Sequence, residues 1–243
     1  MTASNDLAGR KAIITGSATG LGAAIALKLA GRGCDVIITC TKSVKDGEAT
    51  AAEARALGVN AELVTADVST AEGCRKLAAA AGASLDILVN NAGITKHARD
   101  HADLDALTRE DFLDTYAVNV AGPFLMMQAA KAALTASHAR TGRSAAVLNV
   151  SSIAGVTGIG SSVAYAATKG ALNTMTLSLA RALAPAIRIN AICPGFIGTR
   201  WFKDIMDEDA YKRMEAGVAA AVPLRAASSP EDVADSALFF LTD

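Results

Sequence analysis

Short runs of apolar residues alternate along this chain with longer segments of helical periodicity. The apolar runs predict strands at 11–15, 35–40, 61–65, 85–89, 145–150 and 187–192. Helices are predicted at 21–30, 45–57, 70–80, 111–135, 164–184 and 233–241. Because the strands are apolar almost throughout, we expect each of them to be buried on both faces. The pattern therefore predicts one α/β domain over residues 1–243, with a doubly wound parallel sheet and helices on both faces.

Two predicted helical stretches, 122–134 and 171–180, are apolar around more than one face. A helix that packs only on its own sheet needs a single apolar stripe. The surplus is typical of a helix–helix interface between subunits, or of a helix deep inside a large domain. We expect a homodimer or a homotetramer.

Composition and charge narrow the classes of function. The chain is 51% hydrophobic and its formal net charge is −1, which favours neither nucleic acid nor an anionic membrane as a partner. No apolar run approaches the ~20 residues of a membrane span, and residues 1–10 are polar, so we expect a cytoplasmic protein. The cysteines at 34, 40, 74 and 193 match no zinc motif and the three histidines lack ligand spacing. We therefore expect buried free thiols in a reducing cytoplasm and no metal site.

A glycine-rich segment, Thr-Gly-Ser-Ala-Thr-Gly-Leu-Gly at 15–22, lies between the first predicted strand and the first predicted helix. Glycine removes the Cβ that would keep a phosphate away from backbone N–H groups, and a helix N-terminus attracts negative charge. The segment predicts the pyrophosphate site of a dinucleotide on a Rossmann-type sheet. The residues expected to contact the cofactor there are Gly16, Ser17, Thr19, Gly20, Leu21 and Gly22.

Tyr165 and Lys169 lie four residues apart in a predicted helix, so their side chains share one face. An ammonium beside a phenol favours the phenolate, and we expect it to lower the pKa of Tyr165 from about 10 toward neutrality. A tyrosine with such a pKa can act as a general acid or base. Most pairs with this spacing are solvated surface pairs, so the pair needs support from other motifs.

That support comes from motifs in a fixed order: the glycine-rich segment, Asp67-Val68, Asn90-Asn91-Ala92-Gly93, Asn119, Ser152, Tyr165-x-x-x-Lys169, and Pro194-Gly195 with Thr199. In order and spacing they resemble the short-chain dehydrogenase/reductase family, over the chain from Gly9 to Asp243. The resemblance is to 3-oxoacyl-acyl-carrier-protein reductases and related ketoreductases. It implies a hydride transfer between a nicotinamide cofactor and a carbonyl or secondary alcohol.

The resemblance also implies a role for each catalytic residue. Tyr165 would be the general acid for carbonyl reduction, and Lys169 would lower its pKa and bind the nicotinamide ribose. Ser152 would donate to the substrate oxygen; Ser151 is the competing candidate, and its distance from Tyr165 fits the family pattern less well. Asn119 would hold a water that relays protons to Lys169, although a hydrogen bond at a helix kink is an alternative.

Cofactor contacts are implied after further strands. Asp67, with Val68, would reach the adenine amine, unless the carboxylate only caps a turn. Asn90, Asn91, Ala92 and Gly93 would lie beneath the adenosine ribose, where Asn90 could serve mainly to tie neighbouring strands together. Pro194, Gly195, Ile197 and Thr199 would border the nicotinamide.

The end of the second strand bears on the choice between NADP and NAD. An acidic residue there binds the ribose 2′-OH and repels a 2′-phosphate. This chain has Thr41 and Lys42 and no acid at that place, which favours NADP and leaves NAD as the alternative. Thr19 stands where a more decisive NADP pattern has a basic residue, and Lys42 could equally be a solvated surface lysine.

The substrate pocket is expected between 152–160 and 196–206, with Trp201, Phe202 and Met206 making it apolar and a lid over about 198–222. The expected substrate is a small carbonyl or alcohol compound, possible classes including a 3-oxoacyl thioester. An NAD-dependent sugar or alcohol dehydrogenase of the same family, and a dinucleotide-binding regulator without catalysis, remain open as alternatives.

Family members normally continue beyond a helix such as 233–241 with a glycine-containing turn and one more apolar strand. The sequence ends at Asp243, directly after that helix. We therefore expect the sheet to lack the final strand of the family.

Overall fold

The computed structural model describes residues 5–199, 201 and 206–242. It contains a sheet whose strands pair in the order β3-β2-β1-β4-β5-β6, all parallel. The strands are β1 (Lys11–Ile14), β2 (Asp35–Cys40), β3 (Ala61–Thr65), β4 (Ile87–Asn90), β5 (Ala145–Val150) and β6 (Ile187–Ile192). The doubly wound parallel sheet predicted from the sequence is confirmed. Among the described residues the sheet ends at β6.

Helices cover the sheet, and their bounds follow the predicted ones with one exception. They are α1 (Gly20–Ala30), α2 (Val44–Ala56), α3 (Ala71–Ala80), α4 (Arg109–Tyr116), α5 (Gly122–Thr141), α6 (Ala154–Thr157), α7 (Val163–Leu183), α8 (Glu208–Ala221) and α9 (Pro230–Leu241). The helical stretch predicted over 111–135 is divided near Asn119, as the kink alternative for that residue implied. A π-helical segment, Ala117–Ala121, separates α4 from α5, and its wider turn surrounds Asn119, whose side chain binds backbone outside the helix.

Alternate residues of each strand belong to two separate apolar cores, as a period of two requires. In β2, Val36 and Ile38 pack with α1, α2 and α9, whereas Ile37 packs on the other face with α3 and α5. The same alternation separates Ile87 from Leu88 in β4. Burial on both faces explains why the strands are almost uninterrupted apolar runs.

The carboxyl ends of all six strands meet at one edge of the sheet. The glycine-rich segment follows β1, Thr41 follows β2, and Asp67 lies two residues beyond β3. The motif that begins at Asn90, the pair of serines at 151–152, and Pro194 stand at the ends of β4, β5 and β6. Ligands of open parallel sheets bind outside this edge, so the topology gathers the predicted site in one place.

Within the described part of the chain, none of the helices combines the length and apolarity needed to cross a bilayer.

Candidate active site

A cavity of about 910 Å³ lies at the carboxyl edge of the sheet. This is at the upper end of the roughly 300–1,000 Å³ that small-molecule sites occupy. The predicted residues that line it are Gly16, Thr19, Gly20, Leu21, Thr41, Lys42, Asp67, Val68, Asn91, Ala92, Gly93, Ser152, Tyr165, Lys169, Pro194, Gly195, Ile197 and Thr199. The other four, Ser17, Gly22, Asn90 and Asn119, lie behind this lining and act on it through their neighbours.

The glycine turn needs its glycines for conformation and for close approach. Gly16 and Gly20 have φ of +63° and +61°, in the left-handed region that favours glycine. A Cβ on Gly22 would lie 2.5 Å from the Gly16 carbonyl oxygen and 2.6 Å from Asn91 Nδ2. Asn91 Nδ2 donates to the carbonyl oxygens of Thr15 and Gly16, which fastens the turn to the end of β4. No other residue type fits at Gly22 without moving the turn.

Ser17 and Asn90 have structural contacts that occupy their side chains. Ser17 is fully buried; its Oγ donates to Ile14 O at 2.6 Å and accepts from Thr39 N at 2.9 Å. Asn90 Nδ2 donates to Asn149 Oδ1 at 2.9 Å, across β4 and β5. Ser17 therefore holds the turn against β2, and Asn90 ties neighbouring strands together, which was one of its two predicted roles.

The turn fits the pyrophosphate of a dinucleotide. Helix α1 begins at Gly20, has no acidic residue in its first turn, and directs its free N–H groups toward the cavity. Opposite it lies Thr199, whose Cγ2 would come 3.5 Å from a Cβ on Gly20. A larger residue at either position would fill the space between them, so the cradle accommodates an anionic group lying flat on the backbone.

The ends of β2 and β3 form the side of the cavity predicted for the adenosine. Thr41 and Lys42 are exposed and line it. Asp67 Oδ1 accepts from the backbone N–H and the hydroxyl of Ser69, at 2.9 and 2.7 Å. The hydrogen bonds to Ser69 are the turn contact that was the alternative role for Asp67. Because Asp67 also lines the cavity, the turn contact does not preclude the predicted contact with the adenine amine.

The two candidate serines, Ser151 and Ser152, differ in the partners of their hydroxyl groups. Ser151 is buried, and its Oγ donates to Lys169 O at 3.1 Å. Both serines line the cavity, but it is the Ser152 side chain that acts on Tyr165, where it lowers the pKa of the phenol. Its Oγ also accepts from Ala154 N–H at the start of α6. The partners of the two hydroxyl groups therefore favour Ser152 over Ser151 as the residue that acts together with Tyr165.

The expected effect of Lys169 on Tyr165 is wrong for the chain alone. Burial raises the pKa of Tyr165, and the hydrogen bond with Ser152 only partly opposes this. Lys169 is 4% exposed, and burial lowers its pKa to about 8. Its Nζ lies 5.5 Å from the Tyr165 ring centroid and donates to Val150 O at 2.8 Å. Desolvation thus pushes both groups toward their neutral forms.

Asn119 is fully buried, and its side chain is hydrogen-bonded to the segment after β4 and to α7. Its Oδ1 accepts from Ile94 N–H at 2.8 Å, and its Nδ2 donates to Ile94 O at 2.9 Å and to Thr168 Oγ1 at 3.1 Å. The kink alternative weighed for this residue is therefore present. These bonds hold the segment after β4 against α7, with Gly93 between Asn119 and Lys169.

The remaining wall is mostly apolar and was predicted in part. Ile153, Ile159 and Trp201 line it as expected, and the Trp201 ring meets Tyr165 edge-on, with centroids 6.3 Å apart. Met206 is described but does not line the cavity, and Phe202 lies outside the described residues.

Sequence reasoning missed other lining residues. Met214 on α8 lies within the lid predicted over about 198–222 but was not named as a lining residue. Ile94, His97 and Arg99 directly follow the predicted Asn90–Gly93 motif, and their place after a strand's carboxyl end could have indicated them.

The cysteines and histidines add no further chemistry to the site. Cys34, Cys40 and Cys74 are buried free thiols, and Cys193 is an exposed one. Among the described residues, no group of His, Cys, Asp and Glu side chains is arranged to hold a metal ion.

Comparison with known proteins agrees with this geometry. A family model for the short chain dehydrogenases matches residues 10–210. A Streptomyces violaceoruber protein with the provisional name ketoacyl reductase 2 of the granaticin polyketide synthase is 40% identical over 230 residues, which is 93% of this chain and 87% of that protein. A 3-oxoacyl-[acyl-carrier-protein] reductase of Aquifex aeolicus is 36% identical over 241 residues, 98% of this chain and 92% of the relative.

Among solved structures, Pseudomonas aeruginosa RhlG in an active-site complex with NADP superposes with a TM-score of 0.88 at 30% identity. The superposition covers 100% of this chain and 93% of RhlG. The family match spans most of the chain, and the relatives are similar over nearly their full lengths. The chain belongs to the short-chain dehydrogenase/reductase family and is an NAD(P)-dependent oxidoreductase.

Proposed function

We propose that the protein is an NADP(H)-dependent carbonyl reductase whose catalytic residues are Ser152, Tyr165, Lys169 and Asn119. The observation that carries the proposal is the convergence of the Ser152 and Tyr165 hydroxyls in the same cavity as the glycine turn. A bound NADP(H) supplies the hydride. The residues of the chain would bind and orient the carbonyl group and donate the proton to its oxygen.

In this reaction Ser152 donates a hydrogen bond to the carbonyl oxygen, and Tyr165 delivers a proton to that oxygen as negative charge develops on it. Because burial raises the pKa of Tyr165, its phenol is protonated at neutral pH and ready to act as an acid. A protonated phenol is the form that general acid catalysis of carbonyl reduction requires. Lys169, whose Nζ lies 5.5 Å from the Tyr165 ring centroid, would bind the nicotinamide ribose. Asn119 would support the site by holding the segment after β4 against α7.

The cofactor preference is supported by the end of β2. Thr41 and Lys42 line the cavity there, and neither they nor Cys40 carries a carboxylate that would repel a 2′-phosphate. The similarity to RhlG, which was solved with NADP, supports the same choice.

Two observations support a substrate class: the apolar lining of the cavity beyond Tyr165 and the activities named for two similar proteins. The wall beyond Tyr165 is mainly apolar, which suits an acyl or polyketide chain beside the reacting ketone. The names of the two curated relatives concern ketoacyl and 3-oxoacyl reduction. We therefore propose a 3-oxoacyl thioester or a related ketone.

Oxidation of NADPH and of NADH, followed by absorbance against acetoacetyl thioesters and simple ketones, tests the function. We expect turnover with NADPH, and a loss of about 10²–10⁴-fold in Tyr165→Phe, which removes the general acid but keeps the ring. Tyr116→Phe, at an exposed tyrosine of α4, is the matched control and should retain activity. Near-normal turnover by Tyr165→Phe would contradict the mechanism, and its unchanged NADPH affinity would show that the site is intact.

We also propose that two or four copies assemble through α5 and α7, the helices that are apolar around more than one face, together with the neighbouring α4. Large apolar side chains are exposed on α4, α5 and α7, namely Phe112, Leu113, Tyr116, Phe124 and Leu177. A second copy of the same face would bury them by two-fold symmetry. Light scattering on the purified protein tests this, and a mass of one 24.7 kDa chain at micromolar concentration would contradict it.

A further inference from the structure

The segment that follows β4 runs along the cavity from the glycine turn toward the catalytic residues. At its start, Asn91 Nδ2 donates to Gly16 O at 2.9 Å. Two residues later, a Cβ on Gly93 would lie 3.7 Å from Lys169 Nζ. The segment thus passes from the predicted pyrophosphate site to the catalytic lysine within three residues.

Its far end is fastened to the loop that precedes the catalytic tyrosine. Ala98 N–H donates to Ser161 O at 2.8 Å, and the hydroxyls of Thr95 and Ser161 are 2.6 Å apart. A Cβ on Gly160 would lie 3.6 Å from Tyr165 Cδ1. These contacts fix the residues around Ala98 beside the Tyr165 end of the cavity, away from the glycine turn.

Arg99 is the next residue, and it lines the cavity with its charge uncompensated. Within the described residues no salt bridge includes Arg99. The described lining contains one carboxylate, Asp67, which follows β3 on the opposite side of β1 from the segment after β4. Asp100 does not line this cavity, and its Oδ1 accepts from Ala102 N–H.

The other side chains at this end offer no second positive charge. His97 also lines the cavity, but burial, together with the nearby Arg99, lowers its pKa, so it is neutral at neutral pH. Its Nδ1 is buried without a hydrogen-bond partner among the described residues. Ile94, Ile159 and Trp201 complete an apolar surround. Arg99 and the neighbouring Ile94 and Ile159 are exposed, so an anion beyond Tyr165 would meet this cation at the open rim of the cavity.

We infer that Arg99 is a specificity-determining residue that binds an anionic group of the substrate, a carboxylate or a phosphate ester, remote from the reacting carbonyl. The inference rests on the proposed function and adds to it the class of substrate. A guanidinium presents a planar fork of donors that fits both groups in a bidentate manner. An oxo acid would supply a carboxylate, and a thioester on a phosphorylated carrier arm would supply a phosphate.

Two pairs of probes distinguish these sources. Acetoacetyl-4′-phosphopantetheine is compared with acetoacetyl-pantetheine, and medium-chain oxo acids are compared with their methyl esters, all with NADPH. In the wild type we expect the anionic member of one pair to have a roughly tenfold lower KM at similar kcat, as a partly exposed charge-assisted pair would give. Arg99→Gln should raise that KM to the value of the neutral member and leave the neutral member unchanged. The pair that responds identifies the source.

Lys96→Gln is the matched control, because Lys96 is an exposed cation on the same segment that pairs with Asp111 at 3.6 Å. It should keep the preference for the anionic probe.

A readout independent of turnover is the fluorescence of Trp201, the single tryptophan, whose ring centroid lies 6.3 Å from that of Tyr165. Titration of each probe into the protein with NADP⁺ should give the same tenfold difference and the same loss in Arg99→Gln.

Equal KM and equal fluorescence affinity for both members of both pairs would overturn the inference, as would a preference that Arg99→Gln retains or that Lys96→Gln also loses. Absence of turnover with every probe would instead contradict the proposed function. In that case the fluorescence titration still decides whether Arg99 binds the anion.

Discussion

Replacing the buried Lys169 by methionine should remove both catalysis and a cost in stability. Lowering the pKa of a lysine from its usual 10.5 to about 8 corresponds to about 3 kcal/mol of destabilisation at neutral pH. Methionine fills a similar volume and carries no charge. The change also takes away the donor to Val150 O, which costs about 1–3 kcal/mol. At neutral pH we therefore expect the variant to be as stable as the wild type or more stable, by up to about 2 kcal/mol.

The pH dependence separates the charge from the hydrogen bond. Because the folded-state pKa of Lys169 is below the unfolded-state value, the unfolded chain binds more protons between about pH 8 and pH 10.5, and wild-type stability rises with pH in that window. From pH 7 to pH 9.5 the wild type should gain about 2 kcal/mol relative to Lys169→Met. The hydrogen-bond term is nearly constant over this range and cancels in the difference.

Urea unfolding of the cofactor-free proteins at both pH values measures the gain. Lys131→Met, at an exposed lysine of α5, is the control and should show no such pH-dependent difference. If the free energies of unfolding of wild type and Lys169→Met differ by the same amount at both pH values, Lys169 carries no buried charge and the reasoning is refuted.

Three further changes test the cradle, the cofactor preference and the kink. Gly22→Ala places a Cβ 2.5 Å from a backbone oxygen of the turn and should weaken NADPH binding at least tenfold in a fluorescence titration, whereas Gly217→Ala, where a Cβ meets nothing within 4 Å, should not. Lys42→Asp should lower the affinity for NADPH and raise that for NADH. Lys45→Asp, at a residue that does not line the cavity, should change neither affinity greatly. An unaltered ratio of NADPH to NADH affinity in Lys42→Asp would show that Lys42 does not set the cofactor preference. Asn119→Ala loses three buried side-chain hydrogen bonds and should lower the free energy of unfolding by about 2–4 kcal/mol; a loss below about 1 kcal/mol would show that the bonds are not needed.

The sheet could be predicted from the sequence because its signals are local. Each strand is an apolar run bounded by polar or glycine residues, and burial on both faces makes that run continuous. The start of β4 was placed two residues early, at Leu85, because Leu85 is fully buried; its N–H bonds to Ala133 O outside the strand. Burial alone does not distinguish a strand residue from a packed residue beside it.

The site could be predicted only as far as its residues have local signals. The glycine turn and the Tyr165–Lys169 pair have such signals, and both line the cavity. The surroundings of Lys169 have none, because its burial depends on packing between α7 and β5, so the effect of desolvation on the pKa of Tyr165 was not foreseen. Arg99 has only a weak signal, its place after the carboxyl end of β4, because its exact position depends on hydrogen bonds between two loops distant in sequence.

The same desolvation that costs stability at Lys169 also acts on Tyr165. Burial disfavours charge on either group, so it raises the pKa of Tyr165 and lowers that of Lys169 to about 8. An apolar side chain at 169 would avoid that cost in the chain alone, so a buried lysine there is better explained by function than by stability. Its Nζ lies at the cavity between Gly93 and Tyr165, where a bound cofactor would meet it. The chain thus bears a local cost at the position where Lys169 lies beside the proposed catalytic tyrosine and the cofactor site.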